Sequence, residues 1–506
     1  MQLSKLLPLL IISSSMLPSI LLFFLRDTRA RLRIGLYLGA EVVKLILVII
    51  MLLGIYAGES YELRVAIAPG IDFLLRANAL AMLFLGLSAG LWLVTTIYAI
   101  GYMRNLPHHS RFYGFFGLSV TSTAGLALAG NLFTFYFFYE TLTLATYPLV
   151  VHRQTREALA AGHTYLRYAV TGGAVLLLGI VWLQALVGPV EFTEGGALAG
   201  LQAEYSATTL IAIFVLLIAG LGVKTALFPL HGWLPVAMVA PAPVSALVHA
   251  VAVVKAGAFG VVRVVYEIFG TALAQELRVL LPLSIVAATT IIYGSLRALV
   301  QDDLKRRLAY STVSQLSYIT LGVAIVGSVA TIGGIVHLVH QGIMKITLFF
   351  CAGILADTLG ITHVSQMNGV ARRMPATMVA FSIAVAGMIG LPPFAGFISK
   401  WYLGLGAVEA GQFWVLVVLV ASTLLNMAYF LPIVYAAWFR APDGPFIDKI
   451  APGRFETGWL LLLPTLTTAL LTLIFGLFAS MGFSPLQWSE LIAARELVSL
   501  PRVFTP

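Results

Sequence analysis

Charge is what this 506-residue sequence has least of: 10% of its residues are Asp, Glu, Lys or Arg, and 60% are apolar. A soluble domain carries about 25% charged residues. The shortage excludes an ordinary soluble domain and points to a polytopic membrane protein. Cysteine is almost missing, with Cys351 alone inside an apolar run. That excludes a disulfide framework, a CxxC redox motif and an iron–sulfur ligand set. HExxH and cysteine-pair metal motifs are absent, as is any nucleophile–base pair, so no cofactor, metal or stand-alone enzyme chemistry is expected. Any redox step belongs to another chain. The net charge of +9 invites nucleic acid as a partner. No basic stretch is interleaved with stacking aromatics, however, and the cations fit membrane-flanking loops better.

What is present is long apolar runs. A span needs about 20 residues, which gives about 14 spans, near 3–25, 34–56, 72–101, 112–129, 131–151, 164–189, 208–230, 241–266, 278–296, 308–327, 329–356, 376–405, 412–439 and 457–481. The first is read as a spanning helix because its apolar run is too long for a signal peptide. Alternate connections carry the cations: Arg26 to Arg33, Arg104 and Arg111, Arg153 and Arg156, Arg297 to Arg307, Arg372 and Arg373, then Arg440, Lys449 and Arg454. The others carry Glu59, Glu62, Glu191, Glu194, Glu204, Glu276 and Glu409. Those with cations are expected in the cytoplasm, both termini outside, in the cell's inner (plasma) membrane. Two spans join a lysine to helix-breaking prolines: Lys224 with Pro229 and Pro235, and Lys400 with Pro392 and Pro393. They lie five spans apart, and an odd offset gives opposite topology. Interrupted helices at matching places in inverted repeats point to a transport site.

Ionisable residues at membrane depth cost about 2.5–3.5 kcal/mol each on insertion scales. Glu140 lies mid-span in "FTFYFFYETLTLATYPLV". It reads either as a protonated carboxyl bonded to a neighbouring helix or as a partner for a lysine. Lys224 reads as a fixed ion pair or as an amine that loads and releases a proton when its carboxylate partner moves. Lys255 sits mid-span, six residues after His249, on what reads as one helix. Arg263 is expected to snorkel to the span end. His337, Gln341 and Lys345 recur every four residues as a polar stripe flanked by His340. Lys400 could snorkel or echo Lys224. Glu41 and Lys44 are expected to pair within their own helix, and Arg76 at the start of span three is assigned no role.

At these residues the chain resembles the antiporter-like proton-translocating family. That family comprises the A-type and D-type components of Mrp cation/proton antiporters, the large antiporter-like subunits of respiratory complex I, and subunits of membrane-bound hydrogenases. The resemblance rests on "FFYETLTLATYPLV", "GLGVKTALFPLHGWLPVAMVAPAPVSALVHAVAVVKAG", "DDLKRRLAYSTVSQLSYITLG", "HLVHQGIMKITLFFCAGIL" and "GLPPFAGFISKWYLG", within residues 70–440. It implies an all-α fold of 14 helices with two inverted five-helix repeats and broken helices 7 and 12. The implied segments are 1–111, repeats at 112–266 and 267–440, and a last helix with tail at 441–506. It also implies a Glu140–Lys224 ion pair, a central relay at Lys255 or His249, a bridge at His337, His340 and Lys345, and a second channel at Lys400. Partners would be other membrane subunits, protons and possibly sodium. Lys400, "FISKWYLGLGAVEAGQ", "GVARRMP" and the lack of a long lateral helix look most like the D-type Mrp component. The alternatives are a subunit of a redox-driven complex, with the same proton path but another driver, and a scaffold that translocates nothing.

Overall fold

The computed structural model describes residues 2–200, 204–446, 448 and 455–497. Lys449, Arg454 and the tail after residue 497 lie outside the described residues. The chain begins with α1 (Gln2–Phe24) and α2 (Ala30–Tyr56), then a hairpin of β1 (Tyr61–Ala68) and β2 (Ile71–Ala77). Next come α3 (Ala79–Tyr102), α4 (His109–Leu128), α5 (Leu132–Val150) and α6 (Arg156–Val187). The first broken rod is α7 (Ala207–Thr225) with the short α8 (Trp233–Val236). It is followed by α9 (Ala242–Ala250), α10 (Val253–Arg263) and α11 (Gly270–Glu276), the last two joined by a π turn over Val264–Phe269. Then come α12 (Leu280–Leu299), α13 (Leu304–Ala324), α14 (Ser328–Thr358) and the short α15 (Val370–Arg373). The second broken rod is α16 (Pro375–Ile389) and α17 (Ala395–Glu409), followed by α18 (Phe413–Phe439), α19 (Trp459–Leu477) and α20 (Pro485–Glu496).

Among the described residues, ten segments are long and apolar enough to cross a membrane. Helices α13, α16 and α17 fall short of this for physical reasons. In α13 the interior positions are Ser311, Thr312, Ser314, Gln315, Ser317 and Thr320, all buried, and hydroxyls dilute its hydropathy. Each of α16 and α17 has only 15 residues, because the break at "GLPPF" divides one rod into two. Large apolar side chains such as Leu17, Ile46, Leu178 and Val417 face outward. In lipid that exposure costs nothing, since the hydrocarbon tails are as apolar as the side chains that meet them.

The centre of the bundle is α14, whose apolar window is entirely buried. It packs against α3, α9, α13, α16, α17, α19 and α20. Packing recurs along the chain. As α4 lies on α5, so α12 lies on α13; as α5 lies on α6, so α13 lies on α14; as α6 lies on α7, so α14 lies on α17.

Three readings of the sequence change here. The start of span three is not helical: residues 72–77 belong to β2, where Arg76 binds Glu62 Oε2 at 2.8 Å and Glu191 Oε2 at 2.7 Å. Charged Asp72 and Arg76 suit a wet hairpin end, and Asn78 then caps α3 by accepting from the Ala81 N–H. Span eight is not one helix. It breaks between α9 and α10, where the Val251 and Ala252 N–H groups both bond the Leu247 carbonyl. Arg263 does not snorkel: it is 1% exposed. The rod runs on to Glu276, so Arg263 sits mid-rod, paired with Glu267 at 3.2 Å and donating to the Ala127 and Ala129 carbonyls. Those carbonyls end α4, where backbone acceptors are free and the helix dipole favours a cation.

Candidate functional site

Four lysines at membrane depth converge on backbone carbonyls and hydroxyls. Lys224, in the last turn of α7, donates to the Tyr139 carbonyl, and its ammonium lies 3.4 Å from the centre of the Tyr139 ring. Lys255, in the first turn of α10, donates to the Leu338 carbonyl of α14 at 2.6 Å. Lys345 donates to Ser311 Oγ and to the Leu308 carbonyl on α13. Lys400 bonds the Ile389 carbonyl at 2.7 Å, the Met388 carbonyl at 3.1 Å and Thr423 Oγ1 at 3.4 Å. It therefore curls back to the open end of α16, whose last carbonyls have no helical partner, and does not snorkel. Among the described residues no ion pair joins any of these lysines to a carboxylate.

Glu140 is half-buried on α5, one residue after the carbonyl that Lys224 uses. The direct Glu140–Lys224 ion pair that the resemblance implied is thus not made in this conformation, although each charge is within electrostatic reach of the other. Glu140 Oε1 has no hydrogen-bond partner. It presses on α6 at Gly173, where any Cβ would collide with it. A glycine is the only residue that lets the carboxyl lie there.

The histidines occupy the core. His337 Nδ1 is 2.8 Å from Ser399 Oγ, one residue before Lys400, and its ring lies 5.2 Å from that of Tyr318. The Tyr318 ring in turn carries the Lys400 ammonium 5.5 Å from its centre. On the other side, the Leu338 carbonyl that holds Lys255 follows His337 directly. His337 thus links the surroundings of Lys255 to those of Lys400. His249 and His340 are fully buried, and neither ring nitrogen of either has a protein partner. His337 Nε2, the amides of Gln315 and Gln341, Tyr318 Oη and Ser422 Oγ are likewise buried without one. Buried polar atoms in native proteins are bonded to protein or to water. These buried groups can donate, accept and exchange protons.

The helix break between His249 and Lys255 replaces the continuous-helix relation expected for them. The His249 ring lies tilted against Phe349 at 4.7 Å and Lys255 bonds the Leu338 carbonyl, so the two halves meet α14 at different places. The sequence reading missed Tyr139, Tyr318, Ser399 and Ser311. All four lie inside the quoted motifs. Ser399 is next to Lys400, and Ser311 and Tyr318 fall in the hydroxyl-rich "YSTVSQLSY", a density of hydroxyls that was itself the available signal. The Arg263–Glu267 pair was visible as an i,i+4 spacing. The two broken rods are not copies, since Lys224 precedes its break and Lys400 follows its own.

On the hairpin side, Glu191 accepts from Arg64 at 2.6 Å and from Arg76 at 2.7 Å. Partial burial pushes the Glu191 carboxyl up, but the two guanidinium bonds outweigh it and hold it below the usual carboxylate range.

Residues 129–426, more than half the chain, match the sequence profile of the NADH:quinone oxidoreductase/Mrp antiporter transmembrane family. The chain belongs to this family. It is 37% identical over 423 residues to the N-type NADH-quinone oxidoreductase subunit of Desulforudis audaxviator, covering 81% of each chain. It is 28% identical over 407 residues to the D-type Na(+)/H(+) antiporter subunit of Bacillus subtilis, covering 80% of each. Its fold superposes on a chain of the Mrp complex from Dietzia sp. with a TM-score of 0.85, at 24% identity and 98% coverage of both. A chain of the archaeal membrane-bound sulfane sulfur reductase superposes with the same TM-score, at 23% identity, covering 98% of this chain and all of that one. As a member of the NADH:quinone oxidoreductase/Mrp antiporter family, the protein is an antiporter-like, multi-pass membrane subunit of the kind that works inside a larger complex.

Proposed function

We propose that this chain translocates protons within a multi-subunit membrane complex, most directly as the D-type component of an Mrp monovalent cation/proton antiporter. It would cross the inner membrane fourteen times with both termini outside. The segments would be 1–111, repeats over 112–266 and 267–440, and a C-terminal part from 441. The observation that supports this reading is the set formed by buried Lys224, Lys255 and His337 and half-buried Lys400, each resting on a carbonyl or hydroxyl and none locked to a carboxylate. A fixed structural ion pair would be immobile and costly to break. An ammonium on a carbonyl can give up a proton to a neighbour without leaving a buried charge unpaired.

Lys224 has two acceptors one residue apart, the Tyr139 carbonyl it uses here and the Glu140 carboxylate. Movement between them would change the charge beside the amine and so load or release its proton. The proton then passes through Lys255, the His337–Ser399 pair and Lys400, with His340, His249 and Lys345 flanking the route and water completing it. Whether sodium moves in exchange depends on the partner subunits.

A second reading keeps the path and changes the driver: the chain would serve a redox-driven quinone reductase. The greater identity to the N-type quinone oxidoreductase relative, 37% against 28% for the D-type antiporter relative, favours it. Lys400 favours the antiporter, given the resemblance noted above. Co-purifying subunits separate the two, as small antiporter subunits or as iron–sulfur proteins. Translocation itself is tested by Lys224→Ala and Lys400→Ala in membrane vesicles. Each is expected to abolish proton movement with normal assembly. Wild-type transport in both would make the chain a scaffold.

A further inference from the structure

Outside both repeats, the first three helices hold a second set of buried charges. Along α2, Arg33, Tyr37, Glu41 and Lys44 lie on one buried face, and the same face continues as Val48, Met51 and Ile55. The polar stripe therefore starts at the arginine-rich first connection and stops halfway through the helix. Glu41 and Lys44 are 2% and 0% exposed. They were expected to pair within α2, but each reaches another helix. Lys44 donates to Ser15 Oγ on α1 at 3.1 Å, with its ammonium 5.0 Å from the Trp92 ring centre. Glu41 Oε1 accepts from Thr96 on α3, and Glu41 Oε2 has no partner at all.

The stripe leads outward by the same kind of group. Tyr37 Oη accepts from Trp92 Nε1 at 3.0 Å, and the Tyr37 ring lies 5.2 Å from that of Tyr113 on α4. Arg33 lies over the Tyr113 ring at 5.9 Å and donates to the Asp27 carbonyl at 3.1 Å, in the connection itself. Space for this packing comes from Gly117 on α4, where a Cβ would strike Ser19 and crowd Tyr37.

We infer that Glu41 and Lys44 form a proton-binding site of the N-terminal helices, reached from the Arg26–Arg33 side through Tyr37 and closed toward the other face by Val48 and Met51. The site takes one proton: a carboxylate beside an ammonium becomes a carboxylic acid beside an ammonium, with the proton on the free Oε2. The Lys44 ammonium, held by the Ser15 hydroxyl that also accepts from Thr121, is within electrostatic reach of Glu41 and disfavours a metal cation there. The charged and titratable groups facing it are Tyr37 on α2, Tyr113 on α4, and Arg33, Asp27 and His109 at the mouth. The neighbouring faces of α1 and α3 contribute hydroxyls and the Trp92 ring.

The test uses the whole complex reconstituted in lipid, with infrared difference spectra between about pH 5 and 9, a range that brackets neutral pH. A protonated-carboxyl band is expected in the wild type, lost in Glu41→Gln and shifted in Thr96→Val, which only removes the hydroxyl partner and keeps the complex assembled. Identical difference spectra in all three overturn the site. Lys44→Met is expected to move the pH midpoint of that band, and an unmoved midpoint overturns the electrostatic coupling of Lys44 to Glu41. Transport distinguishes this inference from the proton-translocating reading above. Should Lys224→Ala transport normally, that reading fails while the infrared result still decides the Glu41 site. Should Lys224→Ala abolish transport with no Glu41 band present, the reading stands and this inference falls.

Discussion

Replacing Lys255 by methionine isolates the central step of the proposed path. The side chain is fully buried and its one hydrogen bond goes to the Leu338 carbonyl. Methionine fills nearly the same volume and is tolerated in cores. The carbonyl stays within the continuous helix α14, so assembly should survive. What disappears is the group that holds positive charge at mid-membrane. A charge there costs about 2.5–3.5 kcal/mol without a host. At about 1.36 kcal/mol per tenfold in rate, passage should slow by roughly 70- to 400-fold. The assay is decay of an imposed pH gradient in vesicles holding the assembled complex, with assembly checked on native gels. Lys255→Arg keeps the charge but not its ready deprotonation, and it should assemble and still transport poorly. A methionine variant that assembles and transports within twofold of wild type would refute the relay.

The remaining expectations follow from neighbouring contacts. Ser399→Ala removes the one partner of His337 Nδ1. A hydrogen bond nets about 0.5–1.5 kcal/mol, so transport should fall roughly 2- to 12-fold with a changed pH profile, and an unchanged profile would argue against a role for the imidazole. Gly173→Ala pushes Glu140 aside without removing any titratable group, and a proton flux equal to wild type would show that the position of Glu140 is immaterial. Arg263→Met leaves Glu267 buried and unpaired, which costs about 3–5 kcal/mol. Assembly should be lost, and the double variant Arg263→Met with Glu267→Met should regain more of it than the single one on a native gel. Glu191 has a depressed pKa in the folded protein. Its bonds to Arg64 and Arg76 therefore stabilise the hairpin fully above the unfolded value of about 4.3, and the contribution is lost as pH falls through the lower folded value. Hydrogen-exchange protection of residues 61–77, corrected for intrinsic rate, should drop below about pH 4 and hold in Glu191→Gln only at its already reduced level.

Composition and periodicity alone determined that this is a membrane bundle of long helices. Twenty apolar residues in a row have one stable solution in lipid, a helix that satisfies its own backbone. The prolines beside Lys224 and Lys400 marked both interrupted rods for a similar reason, because proline removes a donor and a clash ends the helix. The sequence also singled out the buried ionisable residues, since each is expensive wherever it lies. It could not say what each one touches. The break between His249 and Lys255 has no proline of its own at residues 250–253, and depends on neighbours that take over the freed backbone. Arg263 looked like a surface anchor until the continuation of its rod and the carbonyl end of α4 placed it inside. The partners of Lys44, Lys224 and Lys400 come from chain positions 11 to 85 residues away. Which carbonyl or hydroxyl an amine finds is a matter of how helices pack, and packing is a property of the whole bundle rather than of any single run of residues.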